Sequence, residues 1–298
     1  MGFDVIRLCS YWNRIQPGNK RNYDWEEFDW LLNEAQKYNV DIILTIGIKA
    51  PRAEEFHLSD WVKNKYDVSR SDIPLDKLPG LAKDSFEFQR AVIIHTLEKL
   101  RDPTQLKYLQ VENEPLNKLW IFGSWNRYLS PEYLEESIER ARELAPLQKI
   151  MATNSISSRS PRNKEDVEAY MVTLALTDAI GLNIYSKIPI KIGPFLYYYE
   201  AKDDFYRELD KLNELAEYND VEAWASEIQG EPWDHFKLVV RSTLGHPSSS
   251  PTRMLRLIYA AKKAGIQRQI IWGVEHGIDQ KNQGNPEWNK TQRLLLAA

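Results

Sequence analysis

Apolar residues along this chain follow two rhythms. Short aliphatic, β-branched runs occur at Asp4–Cys9, Asp41–Gly47, Leu106–Glu112, Gln148–Asn154, Asp178–Asn183, Val221–Glu227 and Gln269–Val274. Runs of that length, bounded by polar residues, predict buried strands. Between them the apolar positions repeat at helical spacing. The sets are Trp25, Phe28, Leu32 and Ala35; Leu134, Ile138 and Ala141; Phe205, Leu209 and Leu212; and Met254, Ile258 and Ala261. Boundary signals agree with these helices. Asp24 with Glu27 three residues on resembles a capping box, Ser130-Pro131 supplies an N-cap and a first-turn proline, and Gly265 is placed to end the last helix.

Strands alternating with helices predict parallel strands joined by crossovers. A doubly wound nucleotide-binding sheet carries a glycine-rich turn after its first strand. Here that turn reads Ser10-Tyr11-Trp12-Asn13, without glycine. The expectation is therefore an α/β chain with a TIM (β/α)₈ barrel. No linker or low-complexity tract interrupts it, so residues 1–298 read as one catalytic domain. A closed barrel needs eight strands and the pattern supplies seven. Met1-Gly2-Phe3-Asp4 itself has neither the basic region nor the apolar stretch of a signal peptide.

Composition narrows the function classes. Hydrophobic residues are 43% and charged residues 28% of 298, with a net charge of −4. That argues against disorder and against a nucleic-acid partner, which calls for a basic face. No apolar run is long enough to span a membrane. The single cysteine, Cys9, cannot form an intramolecular disulfide. No CxxC or HExxH pattern is present, and His57, His95, His235, His246 and His276 are scattered, so no metal and no cofactor are expected. The 10 Trp, 15 Tyr and 9 Phe point elsewhere. Trp and Tyr join an apolar face to a polar tip, matching sugars with their C–H faces and hydroxyl rims.

In a TIM barrel, chemistry sits where strands run into their βα loops. The residues there are Arg7, Lys49, Asn113-Glu114, Asn154, Asn183, Tyr185, Glu227 and Trp272. Two long loops, Ala50–Lys83 and Ser186–Lys202, open on the same end, the second carrying Phe195, Tyr197, Tyr198 and Tyr199. Pro115 stops its strand, which leaves Glu114 at the lip. Ala223, Ala225 and Glu227 share one face of a regular strand, and Arg7 would point inward with Val5 and Cys9. Two carboxyl groups facing one cleft are what glycosidic cleavage needs: one protonates the leaving oxygen, the other attacks the anomeric carbon or activates water. A structural ion network involving Arg7 would use the same residues.

The motifs at these strand ends resemble those of the glycoside hydrolase clan A superfamily, the cellulase-like retaining (β/α)₈ enzymes. Val5-Ile6-Arg7-Leu8-Cys9-Ser10-Tyr11-Trp12, with Arg14-Ile15-Gln16-Pro17 and Tyr23-Asp24-Trp25, is similar to that clan's second strand and the loop after it. The resemblance therefore implies a TIM barrel lacking its first strand and helix in this chain, with any export signal or membrane anchor upstream and localisation open. Asn113-Glu114-Pro115 resembles its acid/base motif, Asn183-Ile184-Tyr185 its sixth strand, Ser226-Glu227-Ile228-Gln229 its nucleophile strand, and Ile271-Trp272-Gly273 its eighth. The resemblance implies cleavage of β-linked sugars with retention, Glu114 as acid/base and Glu227 as nucleophile. It further implies substrate contacts from Arg7, Asn113, Tyr185 and Trp272. Trp12 and His57 join them as candidate sugar contacts. Two rivals remain: a carbohydrate-binding barrel without turnover, and a barrel in which both glutamates are structural.

Overall fold

The computed structural model describes residues 3–52, 55–69, 73–117, 120–121, 124–125, 128–157, 164–185, 187–192, 195–200, 203–232 and 248–288. In chain order the elements begin with β1 (Val5–Cys9), α1 (Trp12–Ile15), α2 (Glu26–Lys37), β2 (Asp41–Ile46), α3 (Asp60–Lys65), α4 (Leu81–Lys99) and β3 (Leu106–Val111). There follow β4 (Trp120–Ile121), β5 (Ser124–Trp125), α5 (Pro131–Leu144), β6 (Lys149–Ser157), α6 (Lys164–Leu176) and β7 (Ala179–Tyr185). The last are β8 (Lys187–Ile192), β9 (Phe195–Glu200), α7 (Asp203–Tyr218), β10 (Glu222–Gln229), α8 (Pro251–Lys263), β11 (Arg268–Trp272) and α9 (Val274–Asn282). All seven strands expected from the sequence are present. They form one parallel sheet in chain order, β1-β2-β3-β6-β7-β10-β11. Strands added one by one with helices between them are the winding of a TIM barrel; among the described residues it is one strand–helix unit short of eight.

The chain divides into two compact units. One comprises Phe3–Asn154 and Ala169–Ala179. Here β1 pairs with β2, β2 with β3 and β3 with β6, all parallel. One face of these strands presents Leu8, Leu44, Ile46, Leu109, Val111, Ile150 and Ala152 to the apolar stripes of the helices, including Phe28, Leu32, Phe88, Val92, Leu134 and Ile138. Each such side chain, fully buried, contributes roughly 1.5–3 kcal/mol. The alternate positions Thr45, Gln110 and Thr153 are buried and polar, and they face the opposite side of the sheet because strand side chains alternate. Ser130 caps α5 as its sequence implies, accepting from Tyr133 N at 3.3 Å ahead of Pro131. The capping box expected at Asp24 does not form: Trp25 is the N-cap of α2 and makes no side-chain cap, while the Asp24 carboxylate accepts from Glu26 N two residues on.

The other unit comprises Met1–Gly2, Ser155–Glu168 and Ile180–Ala298. Its β10 pairs in parallel with β11, and α7 and α8 pack on β10. Ser250 caps α8, and Gly265 at φ 84° ends it, a left-handed conformation that costs glycine nothing.

Two stretches expected as loops hold regular structure. Within Ala50–Lys83 the chain forms α3 and the first turn of α4. Within Ser186–Lys202, β8 and β9 pair as an antiparallel hairpin, from Lys187 opposite Glu200 to Ile192 opposite Phe195. The alternation Ile188, Ile190, Ile192 is a strand period that the lysines and prolines around it disguised. The side chains of Phe195, Tyr197, Tyr198 and Tyr199 lie outside the described residues, as do His235 and His246. None of the described helices is long and apolar enough to cross a membrane.

Candidate active site

Two clusters carry the site candidates, one in each unit. In the first, β3 gives way to a turn in which Glu112 (φ 62°) and Glu114 (φ 48°) both adopt left-handed backbone conformations, with Asn113 between them. Such residues are costly and persist only where the surroundings over-determine them. Here they do. Glu112 N donates to Ile46 O, Asn113 N to Lys49 O at 2.9 Å, and Glu114 N to Thr153 Oγ1 at 2.9 Å. Gln110 Nε2 donates to Glu112 O at 3.0 Å, and Lys49 Nζ donates to Glu114 O at 2.9 Å. Thr153 Oγ1 also donates to Asn113 Oδ1 at 3.1 Å. Glu114 itself is buried, as are Asn113 and Thr153.

Lys49 is wholly buried, and its ammonium group meets Glu55 at 2.8 Å as well as the Glu114 carbonyl. Glu112 is equally buried. Its Oε1 accepts from Ile48 N at 2.8 Å and from Tyr133 Oη at 3.0 Å, and its Oε2 accepts from Lys49 N at 2.6 Å. Burial pushes the Glu112 carboxyl up to about 7, against the pull of these hydrogen bonds and of the Lys49 charge. The carboxylate fills the space above Gly47, where an added Cβ would stand 2.1 Å from Oε1.

Arg7 is half-buried on β1, with Nη1 3.5 Å from Gln110 Oε1. Gln110 thus links Arg7 to the carbonyl of Glu112. His57 is half-buried, its ring tilted against Tyr11 at 4.4 Å and its Nε2 3.3 Å from Pro51 O. Burial raises the Tyr11 phenol well above its ordinary value. Trp12 is packed in the core of this unit. It is 1% exposed, stacked on Phe88 at 5.1 Å, edge-on to Trp61, and its Nε1 donates to Gln16 Oε1 at 2.7 Å.

In the second cluster the strand β10 carries Glu227. Its pairing with β11 slips register between Ala225 and Ile228, across Ser226 and Glu227. The expected strict alternation of Ala223, Ala225 and Glu227 is therefore broken by an irregularity of the kind that re-aims side chains beside active sites. Ser226 Oγ donates to Asn183 Oδ1 at 2.7 Å, both residues being fully buried, which ties β10 to β7. Two residues beyond Asn183, Tyr185 Oη donates to Glu227 Oε2 at 2.5 Å. Trp272 ends β11 opposite Gln229, its ring half-buried, and its carbonyl accepts from Gly230 N at 2.9 Å. Gly273 follows at φ 75°, directly against Glu231.

Sequence reasoning passed over Glu112 and Gly47. Only the run Glu112-Asn113-Glu114 could have flagged the first, since nothing in a sequence distinguishes a buried acid from an exposed one. Gly47 had a signal, a glycine at a strand end. Among the described residues no three His, Cys, Asp or Glu side chains gather as a metal site.

No protein-family model matches the chain, and no curated protein matches it. Solved structures do. A GH5_18 enzyme of Streptomyces cattleya, in complex with GlcNAc, aligns with a TM-score of 0.59 at 14% identity, covering 91% of this chain and 62% of that one. Xylanase 10B of Thermotoga petrophila, in complex with xylobiose, gives 0.56 at 13% identity over 91% of this chain and 74% of that one. An endo-1,4-beta-xylanase of Caldicellulosiruptor owensensis gives 0.54 at 16% identity, over 90% and 77%. The chain spans about three-fifths of the length of the GH5_18 enzyme it matches. Both groups of neighbours are clan A glycoside hydrolases, the clan whose motifs the sequence resembles. At these identities the likeness is one of fold, and the chain has the (β/α)-barrel fold of clan A glycoside hydrolases.

Proposed function

We propose that this chain is a retaining β-glycoside hydrolase acting on β-linked oligo- or polysaccharides, its residues 1–298 forming one catalytic barrel domain. The observation that carries the reading is the hydrogen bond from Tyr185 to the carboxylate of Glu227. A phenol donor fixes the direction of the carboxylate, as a nucleophile needs.

In this reading Glu227 attacks the anomeric carbon and forms a glycosyl ester. Glu114 protonates the departing oxygen, then takes a proton from the water that hydrolyses the ester. Asn113 hydrogen-bonds the sugar hydroxyl next to the broken bond, Arg7 supports that end of the sheet electrostatically, and Trp272 stacks beneath the sugar. His57 contacts a neighbouring sugar unit from the loop after β2. No cofactor enters the reaction. Xylobiose, GlcNAc and Manb1-4GlcNAc in the fold neighbours suggest xylo- and manno-configured substrates as the first to try.

A carbohydrate-binding barrel without turnover is the second reading. It is favoured by the sheet being one strand–helix unit short of eight among the described residues. One experiment separates the two. Wild type, Glu114→Ala and Glu227→Ala are assayed on 4-nitrophenyl β-xyloside, β-mannoside, β-glucoside and the corresponding oligosaccharides. Turnover by wild type, lost by about 10³-fold or more in Glu227→Ala, supports the hydrolase, since each catalytic group is worth several orders of magnitude. Sugar binding by calorimetry with no turnover supports the second reading.

A further inference from the structure

We propose that Glu112 is a positioning residue for Glu114, an inference that rests on the acid/base role given to Glu114 above. Three observations meet at this side chain. It is 0% exposed, yet both carboxylate oxygens are satisfied by fixed donors, the backbone N–H groups of Ile48 and Lys49 and the phenol of Tyr133. Its own backbone is left-handed at φ 62°, two residues before the equally left-handed Glu114. Gly47 at φ 126° leaves the gap into which the carboxylate fits, so a side chain there would displace it.

These contacts work as one clip. The carboxylate binds the last two amides of the segment after β2, and Lys49, the second of them, sends its ammonium group back to the carbonyl of Glu114. Lys49 O in turn accepts from Asn113 N. The chain at 112–114 is thereby laced to the chain at 47–49 from both sides of Asn113. Two left-handed residues flanking Asn113 are costly for side chains other than glycine, and the clip supplies the fixed dipoles that hold them. Glu112 touches no substrate in this account. It holds the peptide from which the Glu114 carboxyl projects, and displacement of a catalytic group by about 1 Å can cost about 10²-fold in rate.

Tyr133 anchors the far side. Its hydroxyl lies 2.6 Å from Ser85 Oγ and accepts from Gln89 Nε2 at 2.9 Å. The clip is therefore held from α4 and α5 as well as from the sheet, so Tyr133→Phe loosens it without emptying space in the core.

The test compares two substrates of one sugar, an activated 2,4-dinitrophenyl β-glycoside and a poor-leaving-group methylphenyl or oligosaccharide β-glycoside. Glu112→Gln keeps the volume but turns one acceptor into a donor facing a backbone N–H. Proton donation by Glu114 matters only for the poor leaving group. The expected result is that kcat/KM on the poor substrate falls about tenfold or more relative to the activated one, with a smaller shift in the same direction for Tyr133→Phe. The ratio of the two rates is independent of how much enzyme is folded, so loss of stability alone leaves it unchanged. An unchanged ratio in both variants overturns the inference while the hydrolase reading stands. A wild type inactive on both substrates overturns that reading, and this inference with it.

Discussion

The phenol of Tyr185 lies on the carboxylate of Glu227, with Oη 2.5 Å from Oε2. That is the range of charge-assisted O–H···O⁻ bonds. The two residues stand on β7 and β10, and the Ser226–Asn183 bond one step below keeps the strand ends in register. In the proposed reaction, a nucleophile held in this way meets its target without first surrendering rotational freedom.

Tyr185→Phe removes that donor and keeps the ring. A hydrogen bond to a charged group is worth about 1.5–3 kcal/mol, so kcat on an aryl β-glycoside should fall roughly ten- to hundredfold. Melting temperature should move little, the tyrosine being half-buried. Full activity in the variant would show that the contact does not serve the reaction.

Trp12 and Trp272 should part company. Trp12→Ala empties a core site and should cost about 3–5 kcal/mol in urea unfolding. Trp272→Ala should instead raise KM or lower kcat on oligosaccharides, with a stability loss under about 2 kcal/mol, its ring being half-buried. Similar unfolding curves for the two variants would contradict the placement of both rings.

Gly47→Ala tests the cradle under Glu112. The new methyl group would overlap the carboxylate at a backbone φ of 126°. Overpacking and strain together should destabilise the chain by about 2–4 kcal/mol, read from urea midpoints. An alanine variant as stable as wild type would mean that the carboxylate can move aside freely.

Asp84 sets a pH dependence. Burial opposes its ionisation, but Lys20, Lys65 and Tyr66 all hydrogen-bond to it and hold its carboxyl below the usual range. The sign follows: the unfolded chain binds this proton first, so the stabilisation is present above about pH 4 and is lost as pH falls through the folded value. Asp84→Asn should lower stability by about 2 kcal/mol at pH 7, a moderate figure because both lysines face solvent. Its melting temperature should then fall less than wild type's between pH 5 and 3. Parallel melting curves across that range would argue against a stabilising role for the charge.

How much of this was legible in the sequence depends on what each feature rests on. Strand–helix alternation is local and periodic, so all seven sheet strands could be read from it, and Ser130-Pro131 named the start of α5. Pro115 marked the end of β3 only coarsely, because the strand stops at Val111 and a left-handed turn at Glu112 and Glu114 follows before the proline. The hairpin Lys187–Glu200 was not, since a strand period set among lysines and prolines looks like loop. The depth of Trp12 was not legible, because an aromatic in a motif carries no mark of it. Only packing against Phe88 and Trp61 decides that. The clip at Glu112 was invisible for a related reason: its donors are backbone amides 63 and 64 residues away along the chain.

The central claim is double displacement by two glutamates, and product stereochemistry tests it most directly. Wild-type enzyme is mixed with an oligosaccharide or aryl β-glycoside that it turns over, and the anomeric protons of the first product are followed by NMR before mutarotation. The account predicts that the β-anomer appears first and the α-anomer only later. The α-anomer appearing first would mean inversion, and would contradict the assignment of Glu227 as a nucleophile.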